Sequence, residues 1–342
     1  MTTTLTIGSR EIGPGRPCFV IAEAGINHNG DVSLAAQLVD AAAEAGADAI
    51  KIQTHLPEYE MLRGGATAAY VGESLFDLLT RTALSPEAHY ELRDRARKKG
   101  IIFLSTPFSR EAADFLETLG VPAFKTGSGE LTNVPLQRHI ARKGRPMIIS
   151  TGMSTPEEID RTVGAVRSEG ASFALMHCTS TYPTPYEHVQ LGCIGRLQSL
   201  YGVPVGFSDH TLGNFAAFAA VALGANIFEK HFTMSRSLPG PDQQGSMEPA
   251  ELKELVNGIR AIERALGATK KIQPGEQEVR DMALHSVVSI RDVAAGAKIG
   301  AADVWVKRPG TGIPARQLDE VIGRVAKRAI AKDRLVSWDD MQ

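Results

Sequence analysis

Eight short apolar runs, each followed by small or polar residues, alternate with helical patterns over residues 19–265. They are FVIAEAG from Phe19, AIKIQT from Ala49, IIFLST from Ile101, AFKTGS from Ala123, PMIIST from Pro146, FALMHC from Phe173, PVGFSD from Pro204 and IFEKHF from Ile227. Runs of this length, rich in Val, Ile and Phe, read as buried strands. Between them, Asp31 caps a helix whose apolar face is Leu34, Leu38, Ala41 and Ala45, and Gly46 ends it. Ser85–Pro86–Glu87 and Thr155–Pro156–Glu157 each read as a cap, a proline at the first helical position and an acidic first turn. Strict alternation implies parallel strands joined by right-handed crossovers. Eight βα units in roughly 250 residues predict an α/β chain of the (β/α)8 TIM-barrel type. A doubly wound open sheet is the alternative. Against it, the loop after the first strand, AGINHNGD, lacks the GxGxxG spacing that holds a pyrophosphate.

The spacing has one long interval, between Ile52 and Ile101. Its His55–Ser74 stretch, rich in Gly, Ala and polar residues before a helix that begins near Leu75, is either a candidate lid or a decorated surface loop. After Leu266 the character changes. Residues 1–266 are read as the barrel, 267–282 as a linker holding Gly and Pro, and 283–342 as a small module with two β-like runs, SVVSI and DVWVKR, and a helix around Gln317–Ile322. About 60 residues without disulfide or metal-ligand spacing are marginally stable alone, so the module is expected to dock on a barrel, its own or a partner's.

Composition excludes more than it assigns. With 22% charged residues and a net charge of −2, basic residues neither dominate nor cluster, which speaks against a nucleic-acid surface. The N-terminal run MTTTLTIGSREIGPG lacks a basic segment followed by an apolar one, and no run reaches the ~18 apolar residues of a membrane span. Cys18, Cys178 and Cys193 form no CxxC pair, so reduced thiols and a cytoplasmic location are expected.

In a barrel of this kind the C-terminal strand ends line the active site. Here they carry Glu23, Lys51, Gln53, Ser105, Thr106, Lys125, Ser128, Ser150, Thr151, His177, Thr179, Ser208, His210, Glu229 and His231. Lys51 and Lys125, with hydroxyls from Thr106, Ser128 and Ser150, supply charge and neutral donors suited to a phosphate or carboxylate. His210 and His231 end the seventh and eighth strands. Since neighbouring strands lie about 4.8 Å apart, both imidazoles are placed to share one ion, with open positions for a substrate oxygen. Two ligands suit exchangeable Mn2+ or Mg2+ better than tightly held Zn2+. The alternative is that both histidines are hydrogen-bonded barrel residues, and each lysine taken alone reads as a salt-bridge partner before a ligand contact. His28, in NHNGD, either binds substrate or shapes its turn.

The motifs EAGINHNGD, QTH, FLSTPFSREAADFLE, PAFKTGSGE, MIISTGM, HCTSTYPTP, GFSDHTLG and EKHFTMSRSLPGPD, in this order, resemble the sialic acid synthase family. In the tail, SIRDVAAGAKI and VWVKRPGTGI resemble the antifreeze-like (SAF, β-clip) domain that follows the barrel in that family. The resemblance implies condensation of phosphoenolpyruvate with N-acetylmannosamine and water to N-acetylneuraminate and phosphate. It implies that Lys51, Thr106, Lys125, Ser128, Ser150 and Ser208 hold phosphoenolpyruvate. Gln53, Glu130, Tyr182 and Asp242 would contact the acceptor sugar, with Glu23 as the general acid or base. His210 and His231 would bind a divalent metal, Mn2+ by preference with Mg2+ or Co2+ as substitutes. Arg308 would reach the acceptor in the other subunit of a domain-swapped homodimer. Ser180 stands where some members carry Asn, so direct contact with phosphoenolpyruvate there is in doubt. Other nonulosonate synthases, such as one making N,N'-diacetyllegionaminate, and a 9-phosphate synthase using a 6-phosphorylated acceptor are the alternatives within the family. Outside it stand a pyruvate aldolase on the same barrel and a carbohydrate-binding protein with a decayed site.

Overall fold

The computed structural model describes residues 3–64 and 73–342, and the chain divides into two compact units, Met1–Gly267 and Ala268–Gln342. In the first unit, an antiparallel hairpin of β1 (Leu5–Ile7) and β2 (Arg10–Ile12) precedes eight parallel strands. These are β3 (Phe19–Gly25), β4 (Ala49–Thr54), β5 (Ile102–Pro107), β6 (Phe124–Thr126), β7 (Met147–Ser150), β8 (Phe173–Cys178), β9 (Val205–Asp209) and β10 (Ile227–His231). Each apolar run of the sequence is one of them. Their order is β6-β7-β8-β9-β10-β3-β4-β5, and β5 comes alongside β6 across the remaining seam, giving a nearly closed barrel with helices outside it.

Side-chain alternation along the strands sorts two cores. Phe19, Ile21, Ala49, Leu104, Ala123, Ile148, Ala174, Met176 and Ile227 fill the lumen, together with Leu5, Ile7 and Ile12 of the hairpin, which plugs the N-terminal end. Their neighbours, among them Val20, Ile50, Phe103, Phe124, Ile149, Leu175, Phe207 and Phe228, pack under the helices. Continued by two residues, the inward parity delivers Glu23, Lys51, Thr106, Lys125, Ser150, Cys178, Ser208, Glu229 and His231 to the open mouth.

The helix caps follow the sequence signals. Asp31 accepts from the Ser33 and Leu34 amides ahead of helix Val32–Ala45, and Gly46 ends it at φ 87°. Its buried face is Ala35, Ala36, Leu38, Val39, Ala42 and Ala45, so Leu34 and Ala41 lie at the edge of the stripe rather than within it. Ser85 caps Pro86–Lys99, and Thr155 with Glu158 forms a reciprocal capping box on Pro156–Ser168. The candidate lid His55–Ser74 contains a turn of helix, Pro57–Glu60, but its residues 65–72 lie outside the described residues. Helix Leu75–Thr82 follows it.

In the second unit, β11 (Ser286–Ser289) and β12 (Val304–Lys307) pair antiparallel. Around them Val287, Val293, Ile299, Val304, Ile313, Val321, Ala326, Ile330, Val336 and Met341 form a separate core. The expected helix is short, Leu318–Val321, after a 3-10 turn at Ala315–Gln317. The segment read as linker contains a helix, Glu276–Ala283, which buries none of its residues, Val279 and Met282 included. Asp281 O accepts from the Gly310 amide, tying that helix to the module. No helix among the described residues is long and apolar enough to cross a membrane.

Gly206 marks where the barrel is tightest. A Cβ there would stand 2.4 Å from Met176 Sδ and 2.5 Å from the Ile227 carbonyl oxygen. Because one of these atoms is backbone, Gly206→Ala should destabilise the barrel by roughly 1–3 kcal/mol or more through overpacking, measured as a lower urea midpoint.

Candidate active site

At the barrel mouth a cavity of about 610 Å3 is lined by Glu23, Lys51, Gln53, Thr106, Phe108, Lys125, Ser128, Glu130, Ser150, Cys178, Ser180, Tyr182, Ser208, Glu229, His210 and His231, among others. Volume alone does not distinguish it, since a cavity of about 620 Å3 around Arg16, Gln198, Asn226 and Arg264 lies elsewhere on the barrel unit. What distinguishes it is charge.

Lys51 forms an ion pair with Glu23, donates to Thr106 Oγ1 at 3.1 Å and lies 3.9 Å from Glu229 Oε1. Lys125 lies 3.5 Å from the same Glu229 oxygen and donates to Ser150 Oγ at 2.7 Å. Both lysine side chains are only 3% exposed. Burial acts upward on both carboxyls, with opposite outcomes. For Glu229 the Lys125 and Lys51 charges outweigh burial and hold it below the usual range. For Glu23 burial wins over Lys51, and Glu229 adds to it, raising the carboxyl to about 7. Two neighbouring carboxyls are thus pushed apart, one a fixed anion and the other able to exchange a proton near neutrality.

Gln53 Nε2 donates to Glu23 Oε1 at 3.3 Å, while Gln53 Oε1 faces His55 Nε2 at 2.9 Å. A Cβ placed on Gly25 would sit 3.3 Å from Glu23 Oε1, 3.5 Å from Gln53 Nε2 and 3.7 Å from His231 Nδ1, so three polar groups surround a space that only glycine leaves open. Ser128 accepts from the Gly152 amide at 3.1 Å and donates to Cys178 Sγ at 3.6 Å.

The rings of His210 and His231 are 5.6 Å apart, and Tyr182 lies 4.2 Å from the first. His231 Nδ1 is buried without a hydrogen-bond partner, and burial pushes this imidazole down to about 4, so the neutral ring keeps one nitrogen lone pair for a ligand. His210 Nδ1 donates to Thr179 O at 2.8 Å, which turns its other nitrogen to acceptor use. The donor set fits a divalent cation held by two imidazoles, with water or substrate completing the shell. Among the described residues no group of three or more His, Cys, Asp or Glu offers a fuller site.

A buried ion pair stands behind the two histidines. Lys230 Nζ donates to Asp209 Oδ2 at 2.6 Å, Thr211 O at 2.7 Å and Gly213 O at 2.9 Å. Each partner is the immediate neighbour of one histidine and points outward from the lumen, so the pair fixes β9 against β10 where the rings must meet.

Asp242 lines a neighbouring recess with Gln53 and Glu130, although its charge still bears on His231. Arg308 belongs to the second unit, where its Nε donates to Ala283 O. His28 shapes its turn, Nδ1 accepting from the Gly30 amide at 3.1 Å, and His177 points outward to bond with Val189 O. Glu229, which the sequence marks only as a strand end, and Cys178, marked only as a thiol, prove central to the cavity. Counting alternate residues from the strand cores would have found both.

Two outcomes follow. Lys230→Met leaves the Asp209 carboxylate buried and unpaired, and should cost about 3–5 kcal/mol. The double variant with Asp209→Leu should recover part of that loss in urea unfolding. Glu130, raised to about 7 by burial, binds its proton more tightly when folded than unfolded, so its contribution to stability is lost as pH rises from about 4.5 through 7. Unfolding midpoints of Glu130→Gln should therefore gain on the wild type at pH 8 relative to pH 5.

Comparison with known proteins agrees with this geometry. The family model described as NeuB family matches residues 38–271, and that of the SAF domain matches residues 285–342. An N,N'-diacetyllegionaminic acid synthase of Legionella pneumophila is 40% identical, covering 98% of each chain. One of Campylobacter jejuni is 38% identical over 93% of this chain and 98% of its own. The crystal structure of the N-acetylneuraminic acid (sialic acid) synthetase from Leptospira borgpetersenii, in complex with citrate, superposes with a TM-score of 0.75 at 36% identity, over 82% of this chain and 95% of that one. The chain belongs to the NeuB family of sialic acid and related nonulosonic acid synthases, and carries a C-terminal SAF domain.

Proposed function

We propose that the chain condenses phosphoenolpyruvate with the open-chain form of an N-acetylated amino sugar, giving a nonulosonic acid and phosphate. The observation that carries this reading is one cavity holding both a two-lysine cradle and a histidine pair. Lys51 and Lys125, with Thr106, Ser128, Ser150 and Ser208, would receive the phosphate and carboxylate groups. C3 of phosphoenolpyruvate attacks the aldehyde carbon, water adds at C2, and the tetrahedral intermediate expels phosphate by C–O cleavage. The lysines stabilise the charge that leaves with phosphate. Glu23, with its carboxyl near 7, supplies and takes up protons at the sugar and the water. Glu229 stays ionised and keeps the two ammonium groups from repelling one another. Tyr182 and Gln53 orient the acceptor.

His210 and His231 would hold the divalent cation, Mn2+ by preference, and the chemistry it supplies when bound is polarisation of the aldehyde oxygen. Arg308 of a second copy would meet the acceptor's N-acetyl group in a swapped dimer, a role carried over from the family resemblance alone.

The segment QTHLPEYEM resembles the bacterial N-acetylneuraminate synthases more than the pseudaminate branch, which supports N-acetylmannosamine as acceptor and N-acetylneuraminate as product. The two diacetyllegionaminic acid synthases support a second reading, a 2,4-diacetamido-trideoxy hexose. A 6-phosphorylated acceptor fits less well, because the two cations of the cavity's described lining, Lys51 and Lys125, are both committed to phosphoenolpyruvate in this reading.

The test is phosphate release from phosphoenolpyruvate with Mn2+ and each of the three sugars in parallel. Release is expected with an unphosphorylated sugar, and inactivity with all three would overturn the proposal. His210→Ala should abolish the metal-dependent rate, and an unchanged rate would remove the metal assignment.

A further inference from the structure

Lys230 and Asp209 do not line the catalytic cavity. An ammonium group has three protons to donate, and Lys230 places all three, on Asp209 Oδ2 at 2.6 Å, Thr211 O at 2.7 Å and Gly213 O at 2.9 Å. The other carboxylate oxygen, Asp209 Oδ1, accepts from the Thr211 amide at 2.8 Å. The residues on both sides of His210 are therefore held by one side chain, and that side chain belongs to the residue before His231. Asp209 and Lys230 also face each other as a rung of the β9–β10 ladder, one residue short of the two histidines. The lysine side chain is 2% exposed and the carboxylate 0%, so water offers no substitute for these bonds.

A histidine that ligates a metal is usually oriented by a second hydrogen bond from its other nitrogen. His210 has one, to Thr179 O at 2.8 Å, and its own carbonyl accepts from the Thr184 amide at 2.9 Å. Among the described residues no such bond reaches His231, whose Nδ1 is buried without a partner. The placement of this second ring then depends on its strand, and the strand is pinned one residue earlier by Lys230.

We propose that Lys230, with Asp209, is a positioning residue for the divalent cation: the brace sets where His231 stands relative to His210, and with it the affinity of the pair for metal. The inference rests on the histidine–metal reading above and adds to it two residues outside the cavity. Removing the groups that orient a metal ligand typically weakens metal binding by about 10- to 100-fold.

The experiment measures Mn2+ binding to the full chain without substrate, from the electron paramagnetic resonance signal of free Mn2+. Wild type, Lys230→Met, the Asp209→Leu/Lys230→Met double variant and His210→Ala are compared, with urea midpoints for each and circular dichroism to verify folding at the assay temperature. Lys230→Met should raise the Kd for Mn2+ by at least about tenfold. The double variant carries no buried unpaired charge, so its midpoint should recover. Its Kd should nevertheless stay at least about tenfold above that of the wild type, because stability returns without the brace. A Kd within about threefold of the wild type in the folded double variant would make the pair purely structural and overturn the proposal. No Mn2+ binding by the wild type, or unchanged binding by His210→Ala, would instead overturn the metal reading on which it depends.

Discussion

Four charges buried at one barrel mouth govern the rest of the structure. Isolated in a dry interior, any one of Glu23, Lys51, Lys125 or Glu229 would cost several kcal/mol. Held together, with Thr106 and Ser150 meeting the remaining ammonium protons, they compensate one another. This is possible only in one strand register. Glu23 pairs with Lys51 and Glu229 with Ser208 across neighbouring strands. A slip of one residue would turn a charge into the shell of Val and Phe side chains beneath the helices. The site therefore specifies the barrel's alignment as much as the barrel positions the site.

The eight strands are legible in the sequence because a parallel strand covered on both faces is a continuous apolar run, and the helices because their caps are local chemistry. The site is legible to the extent that strand ends are. Parity separates its true members from their neighbours: Glu229 and Cys178 turn inward, while His177, Asp209 and Lys230 turn out. What the sequence conceals depends on distant partners. Nothing local shows that Lys230 would meet Asp209, 21 residues away, or that Leu78 and Leu79 of an ordinary amphipathic helix would wall a recess beside Gln53. Helix Glu276–Ala283 is hidden for a different reason: it is eight residues long, and Val279, Met282 and Ala283 make barely one repeat of a helical stripe beside a Gly- and Pro-containing stretch.

The two ends of the cavity divide the chemistry by polarity. At the lysine end ammonium, carboxyl and hydroxyl groups predominate. At the Gln53 end hydrocarbon dominates, and the chain of hydrogen bonds from Glu60 through His55 and Gln53 to Glu23 links the wall of the recess to the carboxyl whose proton is most mobile.

The hairpin at the start of the chain has a kinetic meaning beyond packing. Leu5, Ile7 and Ile12 stopper the lumen from below, which makes the barrel a blind well with a single mouth. Lys51 and Lys125 lie deep in it, whereas Tyr182 is half exposed at the rim. Any group that meets the lysines has to pass the rim at Tyr182 on its way in and out, so whatever fills the rim governs access to the bottom of the well.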